Sequence, residues 1–445
     1  MDELVPTFEA KVYARAARLY GDKLPEVVNN RIREEFGYAA ASDADALMLF
    51  VRDTFQEAGL GTGNVSIRDN LGASFLAYLL EINGGINPLP PHYRCMRCRH
   101  LEFDVPGNIR VGTDLPLKNC PVCGKLLLGE GFDIDPWFFY GICRNKSPKF
   151  DFNVPSEKID ALRELREFKI TRTGLTDYDD FHRPAMQMTD QLSRLADMTG
   201  IRPETIPVGN YPQTAAVIDA LEKGGSFVGV YALMGNFVRM MLGRFKLRSF
   251  YDLARLIALN RIPRTWLGNG ENLMKNGTLE QDELLACQED AFEYLKTIGF
   301  DRRKAFRYVM KIISERKLSA GQRRELRLHG ASEWFIYSCD RTPGFASISQ
   351  SISTAIVAWR LLYYKYCVDK HAFYLSFLET ANIAGDTREI LEEGENSILD
   401  ALGIVMKIDL GGYCGWDDED KFALMVAKEM IEEGVMIPIY AVGRL

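Results

Sequence analysis

The chain has 445 residues, 47% hydrophobic and 26% charged, with a net charge of −7. That length allows roughly two to four domains, each with its own core. The acidic balance argues against nucleic-acid binding over the whole surface but allows a local basic face. No apolar run reaches the length of a membrane span. The first twenty residues lack a basic region leading into an apolar one, so no signal peptide is expected and the expected location is cytoplasmic.

Most of the chain reads as helix. LPEVVNNRIREEFG has apolar residues at helical spacing and is expected to end at Gly37. SDADALMLFVRDTFQEAG is expected to start at a capping Ser42 and end at Gly59. NLGASFLAYLLEI predicts an apolar core helix, followed by a break at Gly84, Gly85, Pro88, Pro90 and Pro91. Residues 94–125 carry little helical signal, and short extended pieces such as IRVGT suit a metal-held ribbon. Helix returns from Pro155 in SEKIDALRELREF, AMQMTDQLSRLADMTG, QTAAVIDALEKGG, SFYDLARLIALN, QDELLACQEDAFEYLKTIG and DRRKAFRYVMKIISERK. SISTAIVAWRLLYYKYCV is apolar nearly all round, which marks a buried central helix. The acidic stretch from Asp386 to Glu433 reads as helix, and VMIPIYAV reads as a strand. The fold class expected is α+β, predominantly α-helical.

Four of the nine cysteines form two Cys-x-x-Cys pairs, Cys95 with Cys98 and Cys120 with Cys123. Two such knuckles offer Zn²⁺ four thiolates, and a site filled by sulfur leaves no position for water, so the metal would be structural. His92 and His100 lie close by and are expected to be ordinary surface residues. Cys143, Cys287, Cys339, Cys367 and Cys414 sit singly in mostly apolar contexts and read as small buried hydrophobes.

The residues around the cysteines carry more. INPLPPHYRCMRCRHLEF, continuing to DLPLKNCPVCGK, resembles the zinc-binding stretch of PolC-type DNA polymerase III alpha subunits, the replicative polymerases of low-GC Gram-positive bacteria. LPEVVNNRIREEFG and LGASFLAYLLEINGGINPLPPHY resemble the segment ahead of that stretch. MTGIRPETIP, FVRMML, TWLGNGENLMKNGT, EWFIYSC and VAWRLLYYKY resemble successive motifs of the family's helical fingers, in the family's order. The resemblance covers about Leu24 to Phe377 and weakly the tail. It implies a polymerase palm, a zinc ribbon, helical fingers, and phosphoryl transfer between Mg²⁺ ions held by palm carboxylates.

Against that family the chain departs where the chemistry lies. Where the resemblance implies two aspartates one residue apart, SPKFDFNVP has Lys149 and then Asp151. DFHRPAMQ places His182 where a third aspartate is implied. A cation about 4 Å from another charge interacts by roughly 4 kcal/mol at an effective dielectric of 20, so a lysine aimed at Mg²⁺ would repel it; Mg²⁺ is expected to bind weakly at most. Only about thirty residues separate Asp151 from His182, where the family places most of its palm. The triphosphate loop has become VSIRDNLGAS, keeping Arg68 and Gly72 but adding Asp69; Ile348 and Gln350 replace a lysine and a histidine, and Asn236 an arginine. The family's exonuclease and C-terminal tandem hairpins are without counterparts, and the chain is expected to be self-contained.

DRRKAFRYVMKIISERKLSAGQRRELR is basic, with Arg302, Arg303, Lys304, Arg307 and Lys311 in its first part and Phe306 and Tyr308 interleaved. Such a face can follow nucleic-acid phosphates, although a solvated helix pair has the same composition. Arg68 and Arg239 join the nucleic-acid candidates. Asp177, Asp179 and Asp180 read as turn residues, and His329 as the end of a helix. The expected organisation is an N-terminal segment over 1–90, a zinc-ribbon insertion over 91–145, a truncated palm over 146–206, helical fingers over 207–380 and a C-terminal region over 381–445. Three functions fit: a non-catalytic relative that binds DNA or a replication protein, a residual nucleotidyltransferase using Asp151 with Asp179 or Asp180, and a structural zinc protein of a mobile element or phage.

Overall fold

The computed structural model describes residues 7–107, 109–142, 148–159, 162, 183–315, 317–409 and 418–435. Helices dominate them, with two small antiparallel sheets, as the sequence led us to expect. His182, Asp177, Asp179, Asp180, Cys143, Cys414 and most of VMIPIYAV lie outside the described residues.

Three helices open the chain: Phe8–Tyr20, Glu26–Ala41 and Ala44–Glu57. The second runs past Gly37, because Tyr38 and the three alanines after it are compatible with helix and Ala39 is buried. Ser42 therefore closes this helix instead of starting the next: its hydroxyl donates to Tyr38 O (2.9 Å), and Asp43 makes the turn in the left-handed region (φ 53°). Glu35 on the same helix is fully buried. Its carboxylate accepts from Ser74 Oγ (2.9 Å), Phe75 N (2.9 Å) and Leu76 N (3.2 Å), which fixes the start of the short Phe75–Leu79 helix.

The first sheet pairs β1 (Ser66–Ile67) with β5 (Phe152–Asn153), Ser66 opposite Asn153 and Ile67 opposite Phe152. The second has β2 (His92–Arg94) between β3 (Leu101–Glu102) and β4 (Leu128–Glu130). The IRVGT segment is not one of its strands. Gly112 lies backbone to backbone on β4, where a β-carbon would meet Glu130 O at 1.9 Å.

One continuous apolar core runs from the N-terminal helices through the helical body, and the ribbon has a small separate core of Tyr93, Cys95, Leu115, Cys120 and Leu127. The Ile348–Tyr363 helix is the hub of the large core, buried nearly all round, packing on β1 and on the Arg183–Thr199 and Phe250–Arg261 helices. Its buried Arg360 donates to Thr62 O at 2.9 Å. The Asp418–Glu432 helix is tied to the body by Glu429, which accepts from Lys365 Nζ (2.7 Å) and Tyr374 OH (2.6 Å). No described helix is long and apolar enough to cross a membrane.

Candidate functional site

Among the described residues, one cluster of three or more ligating side chains could hold a metal: Cys95, Cys98, Cys120 and Cys123, with all four sulfurs within 4.8 Å of one another. Cys95 and Cys123 sulfurs are 3.4 Å apart and those of Cys98 and Cys120 3.5 Å. Tetrahedral Zn²⁺ at Zn–S ≈ 2.3 Å wants sulfurs about 3.8 Å apart, so the quartet suits it after slight expansion. The two knuckles repeat one hydrogen-bond pattern. Cys95 N donates to His100 O (2.8 Å) as Cys120 N does to Lys125 O (2.7 Å), and Arg99 N to Cys95 O (3.0 Å) as Gly124 N does to Cys120 O (2.9 Å). Backbone N–H groups of Cys98 and Arg97 bring the Cys95 thiol down to about 6.

His92 departs from the surface position expected of it. It lies on the central strand β2, is fully buried, stacks on Phe103 at 4.5 Å, and has Nε2 3.3 Å from Glu130. Burial alone would raise the Glu130 carboxyl, but Arg94 and His92 hold it well below the usual carboxylate range. The ribbon is anchored at its base. Asp114 accepts from Phe250 N and Tyr251 N, each at 3.2 Å, capping the Phe250–Arg261 helix. Burial raises its carboxyl to about 6.

The second centre forms where β1 meets β5. Arg68 N donates to Asp151 O (3.0 Å), and Asp151 N donates to Asp69 Oδ2 (3.0 Å). Asp69 also accepts from Leu71 N at 2.8 Å. Burial, with a contribution from Asp151, raises Asp69 to about 7. Ser349 Oγ donates to Asp69 O at 3.2 Å, which brings the start of the Ile348–Tyr363 helix onto this loop. Gly72 makes that approach possible, since a β-carbon there would meet Ser349 Cβ at 2.8 Å. Behind it lies Glu289, which the sequence did not single out. It is buried, accepts from Ile348 N (3.0 Å) and is raised to about 7, chiefly by burial.

An open cavity of about 580 Å³ adjoins this centre, lined by Asp69, Asn70, Tyr140, Lys149, Phe306 and Arg307 among others. Lys149 and Arg307 are both exposed on it. The remaining basic candidates divide. Arg302 is drawn into the fold: it pairs with Asp135 (2.6 Å) and Glu34 (2.7 Å), with its guanidinium 4.1 Å from the Trp137 ring centre. Lys304 pairs with Glu325 (2.7 Å), and Lys311 reaches Glu315 at 3.7 Å. Arg239 donates to Asn236 Oδ1 one turn earlier on its own helix, Asn236–Leu242. Arg303, Arg307 and Lys311 lie four residues apart on the Arg302–Glu315 helix, forming an exposed stripe that leads to the cavity.

The profile described as the bacterial DNA polymerase III alpha subunit finger domain matches residues 184–331. PolC-type DNA polymerase III of Caldanaerobacter subterraneus subsp. tengcongensis is 25% identical over 525 residues, covering 95% of this chain and 37% of that protein. The Thermotoga maritima enzyme is 26% identical, covering 82% of this chain and 34% of its own length, and the Bacillus subtilis enzyme 25%, covering 79% and 32%. The chain thus spans about a third of the length of the curated relatives it matches, and these alignments are longer than the chain itself. Its knuckles, its β1–β5 centre and its helical body all fall within the stretch that is similar to PolC-type DNA polymerase III.

Proposed function

We propose that this chain is a shortened, non-catalytic relative of the replicative polymerase that binds DNA, with a structural zinc in its ribbon. The observation that carries the reading is Lys149 on the cavity beside Asp69 and Arg307. The resemblance gives that position to a metal-holding aspartate. Here it offers a cation to a phosphate in place of a carboxylate to Mg²⁺. Asp69, titrating near 7, is part-neutral at physiological pH and opposes a phosphate less than an ordinary aspartate would. The 525-residue alignment with one relative supports the shortening, because it is longer than this chain, so that relative carries residues within the aligned stretch that this chain lacks.

Primer extension with Mg²⁺ and then Mn²⁺, on a primed template with four nucleotides, tests the reading. No extension is expected. Extension that disappears in Asp151→Ala would overturn it in favour of a residual nucleotidyltransferase. Anisotropy titration of a primed template should give binding that weakens steeply with salt, because neutralised phosphates release counterions. Arg303→Glu/Arg307→Glu should weaken it further. No binding at low salt would make a protein partner of the replication machinery the main expectation.

A further inference from the structure

The top of the ribbon is unlike the rest of the surface. Met96 and Val122 crown the two knuckles at 68% and 67% exposure, and Leu117, leading into the second, is 48% exposed. Among the described residues, Leu328 alone of the exposed large apolar side chains is more open than Met96. Arg97, Arg99 and Lys125 surround them, all exposed and without a carboxylate partner among the described residues. Arg99 sits at φ 61°, a conformation that costs a side-chain-bearing residue about 1 kcal/mol. The equivalent position in the second knuckle is Gly124, at φ 70°. The turn therefore needs only glycine, and the arginine adds a projecting cation.

The complementary chemistry occurs elsewhere on the chain. The Gly385–Glu393 and Glu395–Asp409 helices expose Glu392, Glu393, Glu395 and Asp400, none in an ion pair with a described residue. Beside them Leu399 and Ile404 are 40% and 55% exposed. A phosphate backbone would gain nothing from Met96 and Val122, whereas an acidic surface carrying apolar side chains engages both halves of the ribbon tip. Among the described residues neither surface is covered, and a second copy of the chain offers each its complement.

We propose that the ribbon tip of one copy docks on the acidic Gly385–Asp409 region of a second copy of this chain. The two patches differ, so the contact is head-to-tail and either closes into a ring or runs on as a filament.

Sedimentation velocity of the full zinc-loaded chain, across two decades of concentration, tests this. The weight-average sedimentation coefficient should rise with concentration, and roughly 0.5 M salt should suppress the rise by screening the charges. Arg97→Glu/Arg99→Glu/Lys125→Glu should weaken self-association about tenfold or more, as should Glu392→Arg/Glu393→Arg/Glu395→Arg. Mixing the two variants should restore assembly, since each then meets an oppositely charged patch. Met96→Ser/Val122→Ser should weaken association while zinc content is unchanged, which separates lost docking from a lost ribbon. A chain that stays monomeric throughout, association indifferent to these variants, or a mixture that fails to assemble would overturn the proposal.

Discussion

The ribbon and the β1–β5 centre are both polar sites built on short strands, yet they are held together in opposite ways. Each knuckle closes on itself through two backbone hydrogen bonds within six residues, and the pair share a small core separate from the large one. The centre draws Asp69, Asp151, Glu289 and Ser349 from four distant parts of the chain onto the large core. A metal held by the four cysteines would organise the first from its own ligands; the second depends on the whole body being folded.

Breaking that contrast should begin at the metal. Cys95→Ser/Cys98→Ser should reduce zinc from about one per chain to almost none and remove hydrogen-exchange protection across residues 92–130, while helical circular dichroism persists. If zinc is fully retained, the quartet is not the site. The reverse asymmetry is expected of Glu35→Ala. Losing that carboxylate strands the Phe75 and Leu76 N–H groups and the Arg31 guanidinium, and should cost about 3–5 kcal/mol by denaturant midpoint with zinc content intact. Arg302→Ala, which removes a cation–π contact and two half-exposed ion pairs, should cost ~1–2 kcal/mol; a neutral effect would mean these contacts do not hold the helix.

The smallest effect is on pH dependence. Asp69 and Glu289 start from 3.8 and 4.5 and both titrate near 7 when folded, so the folded chain holds extra protons between those values. The stability they lend is full below the unfolded pKa and is lost as pH rises through 7. Chemical denaturation from pH 4 to 8 should therefore show a slope that flattens in Asp69→Asn and in Glu289→Gln. An unchanged slope would place the titration elsewhere.

The same contrast explains what could be read from residues alone. The quartet was legible because its ligands fall within 29 residues in two identical spacings. The central helix was legible because it is apolar on every side, and His329 because it follows a basic helix, where it stands as the C-cap. The β1–β5 centre left almost no local trace. Its strands have two residues each, and its partners lie more than eighty positions apart. Burial of His92 was hidden because a three-residue strand gives no alternation to follow. Basic composition did not distinguish Arg302 from Arg307, because that depends on Glu34, Asp135 and Trp137, which only the fold brings near.

Arg302 also bears on motion. It pairs with Glu34, Glu34 accepts from Tyr38 OH (2.9 Å), Tyr38 accepts from Trp137 Nε1 (2.7 Å), and Arg302 lies over Trp137. This closed ring of four side chains links the basic helix to the N-terminal helices. Phe138 against Phe292 and Phe306 reinforces it, with ring centres 5.4 and 5.3 Å apart. A hinge between these halves would have to open the whole ring at once, so the ring opposes any widening of the cavity beside Lys149. The wall of that cavity that Trp137, Phe138 and Phe306 form is therefore fastened to the N-terminal helices as well as to its own helix.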